Sequence, residues 1–174
     1  MRRAIHDFDM RALSAALDER RRARSLSWAG LAAEINAPFA HTPSIPINVA
    51  TLRGMAEKRS VTSAVVLQVL RWLGRSPESF LSGRESPPAG DEALPDPGPM
   101  RILRFDTRAL HADLDAERRR QGKTWKQVAS ELAGFSESML TNLASGPLIG
   151  FPRVMALTQW LEHPAARYVR SRDR

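Results

Sequence analysis

The sequence predicts an all-α fold of two tandem bundles, each of four to five helices, joined by a Pro/Gly-rich linker. The first observation behind it is a repeat. Ile5 to Ile35 and Ile102 to Leu132 share 14 of 31 positions at an offset of 97, among them Phe8/Phe105, Leu13/Leu110, Leu17/Leu114, Trp28/Trp125 and Glu34/Glu131. A fixed-offset match of that density marks a duplicated structural unit. The second observation is apolar spacing of three and four within each copy, the period of a helix with one buried stripe. The third is Ser82 to Pro99 between the copies, rich in Pro, Gly and acid and without a period. These give a first unit over 1–81 with a turn insertion near 37–47, a linker over 82–100, and a second unit over 101–170.

In the first copy Asp9 is placed to cap a helix carrying Leu13, Ala16 and Leu17 on its dry side and Arg20 to Arg24 on its wet side. Ser25-Leu26 breaks that helix, and Ser27 caps a second one, Trp28 to Asn36. In the second copy Gly122 follows the first helix, and Thr124 with Gln127 forms a capping-box pattern. Beyond the second helix the copies part. Copy two turns tightly through Ala133-Gly134-Phe135, and Ser136 caps a helix over Glu137 to Ser145, ended by Gly146. Copy one carries APFAHTPSIPI, whose three prolines exclude a continuous helix, before Asn48 caps Val49 to Glu57. The offset falls there from 97 to 88, which is nine extra residues in the first copy's turn. A fourth helix spans Thr62 to Leu73 and Phe151 to Leu161, with Gly74 and then Pro77 marking its end and a last turn in copy one. The tail RYVRSRDR reads as short, basic and frayed.

Bases exceed acids by 26 to 19 over 174 residues, for a net charge of +7. That balance favours a polyanionic partner, nucleic acid first. Residues 1–88 carry 13 bases and 8 acids against 13 and 11 for 89–174, so the first copy is the more basic. No cysteine is present, which removes disulfides and thiolate metal sites and fits a reducing, cytoplasmic setting. The N-terminus lacks an apolar core for a secretory signal, and no apolar run approaches the ~18 residues that span a bilayer. No membrane association is expected.

The four tryptophans pair between the copies, 28 with 125 and 72 with 160, and read as helix-packing residues. The runs Arg20-Arg21-Arg22 and Arg118-Arg119-Arg120 read as solvated helix surface, with Arg21 and Arg118 partly paired to Glu34 and Glu131. The histidines (His6, His41, His111, His163) show no ligand spacing, and no nucleophile–base set or phosphate loop is present. An enzyme, a metal centre and a cofactor are therefore not expected.

Taken with Thr124, Val128-Ala129, Gly134-Phe135-Ser136, Leu140, Leu143 and Gly146 in copy two, and Ser27, Leu31-Ala32, Leu52, Met55 and Leu73-Gly74 in copy one, the chain resembles the Cro/repressor-type (XRE-like) helix-turn-helix family, twice over. The resemblance implies sequence-specific binding of double-stranded DNA and transcriptional regulation, with each third helix in the major groove. Carried over by position, the DNA-binding residues of unit one are Ser27, Trp28, Asn48, Val49, Ala50, Arg53, Lys58 and Arg59, with Gly54 a further base-facing position. Those of unit two are Thr124, Trp125, Lys126, Gln127, Ser136, Glu137, Ser138, Thr141 and Asn142. Arg53 is the best guanine reader, Asn142 suits adenine, and Glu137 accepts from cytosine. Trp28 and Trp125 stand where the family usually has a DNA-contacting Gln, and the second copy's third helix has an acid and no base. Unit one is therefore the expected principal reader. The two copies are expected to act as a covalent pseudo-dimer or to assemble further, as a homodimer or with a protein partner. The alternative function is a helix-turn-helix scaffold for protein–protein interaction, antitoxin-like or contacting the transcription machinery. Exposed Trp72 and Trp160 would favour it. RNA binding ranks lower, for want of aromatic platforms.

Overall fold

The computed structural model describes residues 4–58, 61–83, 93–96, 98–145 and 150–172. Gly146, expected to end the third helix of copy two, lies outside them, as does much of the expected linker. In the first half, α1 (Met10–Ala23), α2 (Trp28–Asn36), α3 (Val49–Arg53) and α4 (Ser63–Leu73) follow one another, with a two-residue strand β1 (Val61–Thr62) ahead of α4. The second half runs β2 (Ile102–Phe105), α5 (Thr107–Arg120), α6 (Trp125–Ser130), α7 (Glu137–Asn142), β3 (Gly150–Phe151), α8 (Arg153–Leu161) and β4 (Val169–Arg172). Single 3-10 turns follow α2, α3, α4, α7 and α8.

The caps sit where polar side chains can satisfy the open amides of a helix start. Asp9 accepts from the Ala12 amide, Ser27 from Gly30, Asn48 from Thr51 and Ser136 from Met139. Thr124 and Gln127 close a reciprocal capping box. The turn between the first two helices needs one residue in the left-handed region. Gly122 supplies it in copy two at φ +65°, while the equivalent Ser25 adopts φ +54° in copy one. A side chain there costs about 1 kcal/mol. Ser25→Gly is therefore expected to raise unfolding stability by about that amount, read from the urea midpoint at constant m-value.

The all-α expectation is overturned: the helices are accompanied by two antiparallel two-stranded sheets, β1 with β3 and β2 with β4. β2 and β4 pair from Ile102↔Arg172 to Phe105↔Val169, so the tail read as frayed is a strand up to Arg172. Among the described residues the first half has the isolated bridge Phe8↔Leu81 at the equivalent place. The physical reason is local. Ile102, Leu103, Tyr168 and Val169 are buried, and a buried backbone must pair its N–H and C=O groups, which an extended pairing does. The third helix also differs, ending as an α-helix at Arg53 and continuing as a 3-10 turn over Met55–Glu57. Gly54 marks the change, and a Cβ there would lie 3.1 Å from the Ala50 carbonyl oxygen.

Each half buries the stripes its periodicity announced: Leu13, Leu17, Leu31, Leu52, Val66 and Leu70 in one, Leu110, Leu114, Val128, Leu140, Val154 and Leu157 in the other, all fully inaccessible. The two sets belong to one continuous apolar cluster. Phe151 of the second half, itself inaccessible, meets Phe8 of the first edge-on at a centroid distance of 5.0 Å. Leu67 of α4 packs with Leu103 and Val169 of the second half.

Two glutamines tie the halves together. Gln68, 2% exposed, donates to the Leu103 carbonyl at 2.8 Å and accepts from its amide at 3.3 Å. Gln159 of α8 does the same to His6, donating to its carbonyl and accepting from its amide, both at 2.9 Å. Gln68→Ala strands a buried amide and carbonyl and is expected to cost roughly 1–3 kcal/mol, measured by urea unfolding. A loss near zero would mean that water replaces the clamp.

Candidate nucleic-acid interface

In both halves the second and third helices pack on each other, α2 against α3 and α6 against α7. The third helix is anchored by one buried leucine, Leu52 or Leu140, so the opposite side faces outward. α1 and α5 brace the pair. Arg21 reaches back to Asp18 at 2.7 Å and forward to the Leu26 carbonyl at 2.8 Å, clipping the turn between the first two helices. Arg118 repeats this with Asp115 at 2.6 Å and the Lys123 carbonyl at 2.8 Å.

The expected Arg21–Glu34 and Arg118–Glu131 pairs are therefore not formed. An arginine one helical turn from an aspartate meets it first. Glu34 instead takes Arg24 at 2.6 Å and the Trp72 indole N–H at 2.9 Å. Glu131 takes Lys123 at 2.5 Å and the Trp160 indole N–H at 2.9 Å. Trp72 and Trp160 are half-buried against the core, each spending its one donor inside its own half.

Among the unit-one residues, Ser27 is exposed, with its hydroxyl engaged at the Gly30 amide at 3.0 Å. Trp28 is half-buried, with the Arg21 guanidinium 4.6 Å and that of Arg53 6.0 Å from its ring centre. Arg53 is exposed at the end of α3 and forms no ion pair with the described residues; the indole is its neighbour. Asn48 is exposed but engaged as a cap, accepting at 2.8 Å from Thr51. Val49 is half-buried against the core, Gly54 is half-buried, and Ala50 and Lys58 are exposed. Arg59 lies outside the described residues. The structure thus brings Arg53 beside Trp28, with exposed Ala50 three residues earlier on the same helix.

In unit two, Thr124 and Gln127 are exposed yet occupied with each other, at 2.8 Å from the Thr124 amide to Gln127 Oε1. Trp125 lies beneath Arg118 at 4.9 Å and stacks on His111 at 5.3 Å and 25°. Lys126, Ser136, Glu137, Ser138, Thr141 and Asn142 are all exposed. Ser136 shares its hydroxyl with the Met139 amide and Ser138, and the Thr141 hydroxyl donates to the Ser138 carbonyl at 3.2 Å. Glu137 and Asn142 are exposed on α7, and Lys126 is an exposed base on α6.

The nine-residue insertion follows α2 as a 3-10 turn, Ala37–Phe39, then a turn and bend over 40–44 and an irregular run to Asn48. Asn36 fixes its far end by donating to the Ile47 carbonyl at 2.8 Å and accepting from the Ile47 amide at 2.9 Å. Phe39 is buried beneath it, so the turn is anchored at both ends and α3 keeps its seat on α2. Ile45 at its tip is 87% exposed. The glutamine clamps were the features that sequence reasoning missed. Their only signal was a lone Gln inside the apolar run Val65 to Leu70.

A groove of about 510 Å³ opens where the first half's leading segment crosses the second half, lined by Ile5, Asp7, Lys123, Leu132, Gln159 and Trp160 among others. Among the described residues no group of three or more His, Asp or Glu is arranged to hold a metal ion, and no helix is long and apolar enough to cross a membrane. No family model, curated protein or solved structure matches this chain.

Proposed function

We propose that this protein binds double-stranded DNA through the α2–α3 and α6–α7 pairs and acts as a cytoplasmic transcriptional regulator without catalysis or cofactor. One observation carries the reading. Twice in the chain a short helix is held by a buried leucine against a capped partner helix, with Arg53 exposed on one and Glu137, Ser138, Thr141 and Asn142 on the other. Such a helix is dimensioned for the major groove, about 12 Å wide. The net charge of +7 supplies attraction to phosphate.

The α3 face is the stronger reader, because Arg53 presents a two-pronged donor that fits guanine O6 and N7. Lys58 follows that helix and suits a phosphate. The α7 face offers Asn142 for adenine and Glu137 for cytosine, with weaker phosphate attraction. A polarisation titration with random duplex at ~50 mM salt tests the reading. Micromolar or tighter binding that falls steeply toward ~200 mM is expected, as phosphate contacts release counterions. Absence of binding at ~50 mM with micromolar protein would remove it.

A second reading, a helix-turn-helix scaffold that contacts another protein, draws on two observations. α7 exposes Glu137 and no base, and the insertion exposes the apolar Ile45. Trp72 and Trp160, half-buried and internally bonded, lend it no weight.

A further inference from the structure

We infer that one molecule of this chain reads two non-identical half-sites in inverted orientation, at a spacing set by its own core. The inference rests on the DNA-binding reading above. A tandem duplication by itself says nothing about orientation: two copies in a row present their reading helices either head to tail, matching a direct repeat, or about a two-fold axis, matching an inverted one. The contacts between the copies decide. A head-to-tail contact joins two different patches, whereas a two-fold contact joins each patch to its own equivalent.

Three contacts here join equivalents. Residues 62 and 150 correspond at the offset of 88, and Thr62 and Gly150 are register partners in the antiparallel β1–β3 pair. A residue paired with its own equivalent lies on the axis. The 3-10 turns Pro77–Phe80 and Ala165–Tyr168 also correspond at 88 and pack on each other, Glu78 accepting from the Ala165 amide at 2.7 Å. His6 and Leu103 correspond at 97, and each has its amide and carbonyl held by a glutamine from the other half's fourth helix. The glutamines themselves are not equivalent. Gln68 aligns with Ala156, one helical turn from Gln159, so the symmetry is of the backbone and only approximate in side chains.

A two-fold relation places α3 and α7 at the same height along the axis and running in opposite senses. Duplex DNA has two-fold axes of its own between its strands, and alignment of the two makes the half-sites inverted. The outward residues at matched positions differ, Ala50 against Ser138 and Arg53 against Thr141, so the half-sites differ as well. Only the Arg53 side brings a guanidinium for guanine. The operator therefore has a polarity, and its spacing follows from the shared apolar core, not from the reach of residues 82–100.

The test is selection of bound duplexes from a random library with the whole chain, followed by stoichiometric titration of the selected site. Two different motifs in inverted orientation at one spacing are expected, with one chain per duplex. Reversing one motif, or inserting about five base pairs (half a turn) between them, is expected to weaken binding about tenfold or more. R53A is expected to relax one motif and leave the other unchanged. Direct repeats, a single motif, two chains per duplex or indifference to reversal would overturn the inference while leaving DNA binding in place. Failure to bind any duplex would remove both.

Discussion

Replacing Phe151 by alanine is expected to destabilise the protein by about 3–5 kcal/mol, more than the loss of the Gln68 clamp. The ring is inaccessible to solvent, lies edge-on to Phe8 across the junction, and sits on β3 opposite Val61. Removing it takes away the transfer free energy of an aromatic side chain and leaves a cavity at the junction of the two halves. Domains of this size are stable by about 5–15 kcal/mol in all, so the variant keeps little margin. Urea unfolding followed by fluorescence and by circular dichroism measures it. A single transition shifted by the stated amount supports one shared core, whereas a loss below about 1 kcal/mol contradicts that core.

Arg53→Ala carries the largest expected effect on binding. Loss of its two-pronged contact is expected to cost about 1–3 kcal/mol on the selected site and to relax preference at one base pair. Arg53→Lys is expected to lose most of the same specificity, because a lysine ammonium cannot form the planar fork or rest against Trp28 in the same way. Unfolding stability is expected to stay near that of the parent, since Arg53 is exposed and forms no ion pair with the described residues. An unchanged base preference would remove Arg53 as a reader.

The helical scaffold was legible because it is written in caps and periods that act over three or four residues. Asp9, Ser27, Asn48, Thr124 and Ser136 each bond the amide that a capping residue should. The strands were not legible, for a different reason in each sheet. β1 and β3 are two residues long, too short for any alternation, and each pairs only because the other half brings its partner. β4 is basic and alternates no apolar residues beyond Val169; its pairing with β2 comes from the burial of Tyr168 and Val169 at its start. The junction was hidden for the same reason, since residues packed across it, such as Leu67 and Phe151, look like ordinary stripe members of their own helices or turns. At the candidate interface, the engagement of side chains by their own helix caps was not legible. Gln127, Asn48 and Ser27 have side chains engaged in capping and Val49 packs partly against the core, whereas Arg53, Lys58, Lys126, Glu137, Ser138, Thr141 and Asn142 are exposed.

Whether both helix pairs meet DNA is tested most directly by a backbone-amide NMR titration of the whole chain with duplex. Perturbations gathered on Ser27–Trp28, Asn48–Arg53, Lys58, Thr124–Gln127 and Ser136–Asn142 are expected. Perturbations confined to the Ile5–Trp160 groove or to the Ile45 loop, with α3 and α7 silent, would contradict DNA binding through these helices.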